Sequence, residues 1–203
     1  MRFQKTATTK PAIYFDVGGV LMYDFLGEPL RKSTFERVAK MVAGCDPVVA
    51  EKLFSDHWQD IDLGRVNLND QAREMGLDPK SYSEALEQIH AFIPERLDLV
   101  RRLQAQKYQV GLATNFNGLF LTGVIARTPD FPTFDAICCS AFEGVAKPNR
   151  GFFEAAERLM ERSEILFIDD RIQNIDAAKI FGWETIHAVD ETWISTLERM
   201  YLQ

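Results

Sequence analysis

Short, mostly apolar runs that alternate with helical patterns constrain this chain more than any other feature of its sequence. The runs are four residues long and are bounded by polar residues, which is typical of strands buried on both faces of a sheet. They lie at Ala12–Phe15, Val110–Ala113, Ala136–Cys139, Ile165–Ile168 and Thr185–Ala188. Helical patterns between the later runs begin at Pro94, continue through Phe152–Leu159, and extend from Ile172 to Phe181 before Gly182. The alternation predicts an α/β fold with a doubly wound parallel sheet.

The segment between the first and second runs departs from this rhythm. It contains no convincing strand, and three sites resemble helix starts: the capping boxes Ser33–Glu36 and Ser81–Glu84, and the pair Asp46–Pro47. We therefore expect an all-helical domain inserted into the α/β core. The predicted limits are 1–22 and 94–203 for the core and 23–93 for the insertion.

Composition excludes several functional classes. The 203 residues carry a net charge of −7, the wrong sign for a protein that binds the phosphate backbone of nucleic acids. No apolar run approaches the roughly 18 residues of a membrane helix. The three cysteines, Cys45, Cys138 and Cys139, have the spacing of neither a disulfide framework nor a zinc site. The sequence therefore predicts a cytoplasmic protein that binds neither nucleic acid nor membrane.

Polar residues follow the first four predicted strands. In a parallel sheet these positions share one edge, at the carboxyl ends of the strands, where open α/β folds bind ligands. We therefore expect several chemically active side chains to meet there. They are Asp16, Thr114, Asn115, Lys147, Asp169 and Asp170.

The three carboxylates in this set favour a metal site. Crowded like charges repel and raise one another's pKa, so Asp16, Asp169 and Asp170 make sense together mainly around a hard cation. Magnesium is the natural candidate. Since each of these residues is common in loops, we also consider an alternative in which Asp169 and Asp170 only cap the helix that begins near Ile172.

With a divalent ion in place, the same edge could accept a phosphate group. Lys147 would add positive charge, and Thr114 would offer a hydroxyl donor. Gly18 and Gly19 follow Asp16 directly, and residues without a Cβ atom let backbone N–H groups approach phosphate oxygens closely. The predicted ligand is therefore a small phosphorylated molecule.

Four short motifs, in this order and spacing, make the sequence resemble the haloacid dehalogenase superfamily, and within it the phosphatases. The resemblance covers roughly residues 12–188 and implies that the helical insertion is the first type of cap domain found in that family. The motifs are Phe15-Asp16-Val17-Gly18-Gly19-Val20-Leu21, Leu112-Ala113-Thr114-Asn115, Lys147-Pro148 with Gly151-Phe152-Phe153, and Phe167-Ile168-Asp169-Asp170 with Asn174.

The resemblance also implies roles for individual residues. Asp16 would attack phosphorus and form an aspartyl-phosphate that water then hydrolyses. Thr114, Lys147 and the backbone N–H of Asn115 would hold the transferring group, with Val17 and Gly18 as further phosphate-binding positions. The ligands of Mg²⁺ would be Asp16, the carbonyl of Gly18, Asp169 and Asp170.

Position 18 departs from the family pattern. Family phosphatases usually carry a second aspartate there, which protonates the leaving oxygen, and its loss typically costs about 10²- to 10⁴-fold. Members with similar Gly-Asn or Gly-Gly motifs include sugar-phosphate phosphatases of this size. The expected function is therefore a magnesium-dependent phosphatase, and the alternative is a catalytically impaired module that binds a phosphorylated ligand. Retention of Asp169-Asp170 disfavours a metal-free dehalogenase.

Residues of the insertion are expected to set substrate specificity. The loop Leu63-Gly64-Arg65 is one plausible contributor, with Arg65 as the candidate substrate-binding residue. A simple solvated connection between helices is the alternative for this loop.

Overall fold

The computed structural model describes residues 10–23, 30–160 and 164–202. Of the predicted domain limits, residues 1 and 203 lie outside these ranges. Five parallel strands form one sheet in the order β3-β2-β1-β4-β5, which confirms the α/β prediction. The strands are β1 (Ala12–Phe15), β2 (Val110–Thr114), β3 (Ala136–Cys139), β4 (Ile165–Asp169) and β5 (Glu184–His187).

Helices cover both faces of this sheet, and β1 is therefore buried on both sides. Ile13 and Phe15 belong to one apolar cluster, and Ala12 and Tyr14 belong to the other. The helices that connect or follow the strands are α6 (Pro94–Ala105), α7 (Gly118–Arg127), α8 (Ser140–Glu143), α9 (Arg150–Met160), α10 (Ile172–Phe181) and α11 (Thr192–Tyr201). None of the described helices is both long and apolar enough to cross a membrane.

The described residues between β1 and β2 are mainly helical, as expected. Its described helices before α6 are α1 (Leu30–Met41), α2 (Pro47–Asp56), α3 (Trp58–Asp62), α4 (Leu68–Glu74) and α5 (Pro79–Ile89). We call α1–α5 the cap helices. Their apolar faces join the cluster that contains Phe15, so they share a core with one side of the sheet.

Two of the three predicted helix starts are wrong. Ser33 lies inside α1 and its hydroxyl donates to Leu30 O, so it does not cap the helix. Helix α5 begins at Pro79, where Asp78 accepts a hydrogen bond from Ser81 N. The aspartate directly before proline thus determines where the helix begins, and the later Ser-x-x-Glu pattern does not, because proline already has the φ that the first helical position requires. The same pairing at Asp46 and α2 confirms the third prediction.

The chain leaves the core and re-enters it at neighbouring points. Met22 pairs with Phe92 in an antiparallel bridge, and Ile93 N donates to Leu21 O at 2.9 Å. The buried guanidinium of Arg96 donates to Val20 O. These contacts fix both connections between the cap helices and the sheet side by side.

Candidate active site

The candidate site lies where the strand order reverses. Strand β1 has β2 on one side and β4 on the other, and ligands of open α/β sheets bind outside the strand ends at such a point. Phe15 is paired with Ile168, so Asp16 and Asp169 follow in register on neighbouring strands. Asp16 N donates to Ile168 O at 2.9 Å. Sheet register alone therefore brings together two residues that are far apart in sequence.

Lys147 connects three of the strand ends. It is buried, and its Nζ lies 2.6 Å from Asp169 Oδ2 and 3.1 Å from Asp16 Oδ1. The same ammonium donates to Ala113 O at 2.7 Å. The fixed ammonium balances part of the negative charge that the sheet edge concentrates.

Both carboxylate oxygens of Asp169 accept hydrogen bonds within the protein. Asn174 Nδ2 lies 3.0 Å from both carboxylate oxygens, and Arg171 N donates to Oδ1 at 2.8 Å. Asp169 therefore positions Lys147 and the start of α10. It does not form a side-chain cap on α10, whose N-cap residue is Arg171. The alternative of a simple helix cap fails for Asp169.

Asp170 and Asp16 complete a cluster of acids with Asp169. One carboxylate oxygen from each of the three lies within 4.8 Å of the others. Gly19 contributes by its lack of a side chain: its φ is +75°, and a Cβ atom there would come within 2.4 Å of Asp170 Oδ2. Hard oxygen donors this close together suit a divalent cation such as Mg²⁺.

Burial and crowding set the charge states of the site. Burial raises the pKa of Asp16 to about 8, with the charges of Asp169 and Asp170 adding to the rise and Lys147 opposing it. Burial alone would also raise the pKa of Asp169, but Lys147 and the hydrogen bonds from Arg171 and Asn174 lower it. The Lys147 pKa is raised because Asp16 and Asp169 outweigh its burial. Without a cation, Asp16 is therefore expected to keep its proton to a higher pH than an ordinary carboxyl group does.

This pKa shift gives a prediction for the metal-free protein. An unfolded chain releases the Asp16 proton near pH 4, whereas the folded chain holds it up to about pH 8. The free energy of unfolding therefore falls as the pH rises from about 4 to about 8. In chelator, we expect Asp16→Asn to raise the melting temperature by roughly 5 °C at pH 8 and by much less at pH 5. Thermal unfolding of both proteins at the two pH values measures the difference. A lower melting temperature for the variant at both values would make Asp16 a structural residue.

The predicted phosphate-binding positions surround Asp16. Thr114 Oγ1 is buried and has no hydrogen-bond partner within the described ranges, so a hydroxyl donor is available at the end of β2. The Asn115 side chain donates to Lys147 O at 2.9 Å and accepts from Lys147 N at 2.8 Å, which ties the two loops together. Val17 N donates to Asp16 Oδ1 at 2.7 Å, so this N–H orients the carboxylate.

A cavity joins this sheet edge to the cap helices. Its polar base includes Asp16, Gly18, Asn115, Lys147 and Asn174. Its walls are mainly apolar side chains from the cap helices and from the segment around α7, and they include Phe54, Trp58, Leu68, Leu86, Phe116 and Phe120. A ligand with its phosphate on the base would extend between these walls.

Arg65 does not line this cavity. Its side chain is exposed and lies 3.4 Å from Asp60 Oδ1. The preceding Gly64, with a φ of +67°, turns the loop against Ala141 on α8. The structure therefore places the Leu63-Gly64-Arg65 loop at a contact between cap and core, where Arg65 makes a surface ion pair.

Several residues of the site were not assigned a role from the sequence. His90 and Asn117 line the cavity, and Asn174 holds Asp169. His90 follows α5 without a second metal-ligating residue at helical spacing, so no pattern marked it. Cys138 and Cys139 are core residues, and burial raises the pKa values of their thiols to about 12 and about 11, which keeps both thiols protonated.

Comparison with known proteins agrees with this geometry. A family model described as haloacid dehalogenase-like hydrolase matches residues 10–182. The chain belongs to the haloacid dehalogenase-like hydrolase family. The sequence resemblance is thereby confirmed, and the family's match includes all four motifs.

Relatives of this haloacid dehalogenase-like hydrolase include a phosphatase. The sesquiterpene phosphatase astK of Aspergillus oryzae is 26% identical over 192 residues, which cover 90% of this chain and 92% of the relative. A predicted HAD-like family hydrolase from Porphyromonas gingivalis has a TM-score of 0.72 at 23% identity, covering 95% of this chain and 98% of its own. A HAD family enzyme from Bacteroides thetaiotaomicron, solved in complex with magnesium and inorganic phosphate, has a TM-score of 0.66 at 21% identity, covering 87% and 93%.

Proposed function

We propose that this hydrolase is a magnesium-dependent phosphatase that cleaves a small phosphate monoester through an aspartyl-phosphate on Asp16. The observation that carries the proposal is the buried group of Asp16, Lys147 and Asp169 at the base of a cavity. The phosphatase relative and the magnesium- and phosphate-bound neighbour support the same reaction.

Each residue has a defined part in the proposed reaction. An Asp16 oxygen forms a bond to phosphorus while the bond from phosphorus to the alcohol oxygen breaks. That oxygen takes its proton from a water molecule, because Gly18 supplies no acid. Water then cleaves the aspartyl-phosphate and releases phosphate. Lys147 and Thr114 stabilise the charge on the transferring group, for which positioning and electrostatics supply most of the catalysis.

The acid cluster fits a magnesium ion. Asp16, Asp170 and the Gly18 carbonyl would hold it, with Asp169 as a direct or water-mediated partner. When bound, such an ion neutralises charge on the phosphate and on the carboxylates. The residues of this chain orient Asp16 through Val17 N and Lys147, and the cap helices cover the cavity.

Magnesium affinity should depend more on Asp170 than on Asp169. Asp169 already accepts hydrogen bonds from Lys147, Asn174 and Arg171. Asp170, by contrast, is half-buried beside Gly19. We expect Asp170→Asn to weaken Mg²⁺ binding roughly 10- to 100-fold or more, and Asp169→Asn to weaken it less. Calorimetric titration of both variants and the parent tests this. Equal affinities in all three proteins would contradict the assignment.

The experiment that tests the function is a panel of phosphate esters assayed with and without magnesium. Release of phosphate that requires magnesium is the expected result. The missing acid at Gly18 favours one other candidate, a module that binds a phosphorylated ligand without cleaving it. Saturable binding of a phosphate ester without turnover, in the magnesium-loaded protein, would favour that module.

Restoring an acid at position 18 should speed the hydrolysis of esters with poor leaving groups. Without a proton donor, aryl phosphates should turn over faster than alkyl phosphates, since their leaving groups are more stable as anions. We expect Gly18→Asp to raise kcat for an alkyl phosphate by about 10²-fold and to change kcat for an aryl phosphate much less. The positive φ lies at Gly19, and Gly18 has none, so the backbone accepts an aspartate.

Two controls accompany this substitution. Circular dichroism confirms that the variant folds, and kcat at saturating substrate separates proton transfer from binding. If the parent shows no dependence on leaving-group pKa, a burst of product equal to the enzyme concentration would show that hydrolysis of the aspartyl-phosphate limits turnover. If the parent shows neither a dependence on leaving-group pKa nor a burst, another residue supplies the proton.

A further inference from the structure

The cavity above Asp16 is divided by polarity. Its base carries the groups that suit a phosphate, as described above. The rest of its lining is dominated by large apolar side chains from two sides: Phe54, Trp58, Leu68 and Leu86 from the cap helices, and Phe116 and Phe120 from the segment around α7. The part of a substrate that leaves with the alcohol oxygen must lie against these side chains.

The aromatic walls are built as packed pairs. The rings of Phe54 and Trp58 lie 5.1 Å apart in an edge-to-face contact, and those of Phe116 and Phe120 are stacked at 5.1 Å. The His90 ring packs edge-on against Phe120 at 4.7 Å. Such pairs hold flat apolar surfaces in fixed positions. A hydrocarbon gains contact area on these surfaces, whereas a hydroxylated chain gains little.

Several polar residues of the walls have hydrogen-bond partners within the protein. Asn117 accepts from Phe120 N at 3.2 Å and donates to Ile61 O at 3.4 Å. His90 Nδ1 lies 2.7 Å from Leu86 O. Asp62 and Tyr23 also interact with other groups of the chain. A sugar placed here would lose its hydrogen bonds to water, and the apolar side chains that dominate the walls offer no replacement, which is costly for each buried hydroxyl.

We infer that the substrate is the phosphate monoester of an apolar, hydrocarbon alcohol, and that a sugar phosphate is disfavoured. The inference rests on the proposed function for the cleavage step, but it concerns what the cavity binds. Phosphate recognition by the sheet edge and hydrocarbon recognition by the walls are separate contributions. They can be measured separately.

Binding of a homologous series of n-alkylphosphonates tests the inference without any chemistry. These compounds carry a phosphate-like group that the enzyme cannot cleave. With magnesium present, we expect Kd to fall about fourfold for each methylene from methyl- to hexylphosphonate, the factor expected for burying one methylene. A phosphonate of the same length with hydroxyl groups along its chain should bind no better than methylphosphonate. Isothermal titration of the whole chain measures all of these.

Two variants locate the hydrocarbon site. Trp58 is only half-buried, so Trp58→Ser should fold, and it should weaken hexylphosphonate binding about tenfold more than methylphosphonate binding. Val48 lies on α2, the same helix as Phe54, but is 71% exposed and outside the cavity, so Val48→Ser is the matched control and should change neither. Phe116→Ser, at another half-buried residue of the cavity lining, repeats the test if Trp58→Ser fails to fold.

Hydrolysis then separates this inference from the proposed function. We expect hexyl phosphate to exceed glucose 6-phosphate in kcat/KM by at least about 10²-fold. Turnover of both esters at equal kcat/KM, with equal Kd across the phosphonates, would overturn the inference and leave the phosphatase intact. Length-dependent binding without turnover of any ester would reject the phosphatase and support the hydrocarbon site.

Discussion

Replacing Asp16 by asparagine is expected to lower kcat by at least about 10⁴-fold, because an amide cannot form the covalent link to phosphorus. The substitution keeps the size of the side chain and leaves Lys147 paired with Asp169 at 2.6 Å. The variant should therefore fold and still bind a phosphorylated ligand. Release of phosphate from an ester at saturating magnesium measures the loss.

A matched control excludes a general effect of removing one negative charge. Asp176 is exposed on α10, and Asp176→Asn should keep the activity of the parent. Hydrolysis that survives in Asp16→Asn and does not need magnesium would reject both the nucleophile and the proposed reaction. Retained binding with lost turnover is the result that assigns the covalent step to Asp16.

The second large effect is expected at Lys147, whose loss should destabilise the fold. Its ammonium is buried between Asp16 and Asp169, and removing one partner of a buried ion pair leaves an uncompensated charge. We expect Lys147→Met to lower the free energy of unfolding by about 3–5 kcal/mol at neutral pH in chelator. Denaturant unfolding of the parent and the variant measures the change. Turnover should be lost as well.

A double variant shows whether charge is the cause. If the uncompensated carboxylate destabilises Lys147→Met, adding Asp169→Asn should recover part of the lost stability. Lys179→Met serves as the control, because Lys179 is exposed and makes only a surface contact with Asp176. Equal stability of the parent and Lys147→Met would mean that the ammonium contributes nothing to the fold.

The sheet could be predicted closely because its strands are buried on both faces. In a chain that alternates strands and helices, short apolar runs without polar alternation indicate strands buried on both faces of a parallel sheet. The differences are single residues at strand ends: Thr114 and Asp169 close β2 and β4, and β5 begins and ends one residue earlier than predicted. These polar strand ends were predictable as site residues because parallel strands share one edge.

The cap side of the site was much less predictable. Arg65, the predicted substrate-binding residue, lies on the surface, and the cavity walls are mainly aromatic and aliphatic side chains. In sequence, Phe54 and Leu68 look the same as residues that fill a core, because helical periodicity marks the inward face without saying what occupies the space opposite. Asn174 was visible within the fourth motif, but its role in holding Asp169 depends on how α10 begins.

The two connections between the cap helices and the sheet lie side by side at Met22 and Phe92, and this affects how such a protein can diversify. An insertion whose two ends are adjacent can change in length and sequence without moving the strands that it interrupts. Leu21 and Ile93 hold these ends together by a backbone hydrogen bond, which is independent of side-chain identity. The sheet edge could therefore keep its chemistry through many exchanges of the helices above it. Substrate range would evolve in one segment of the chain, and bond cleavage in the other.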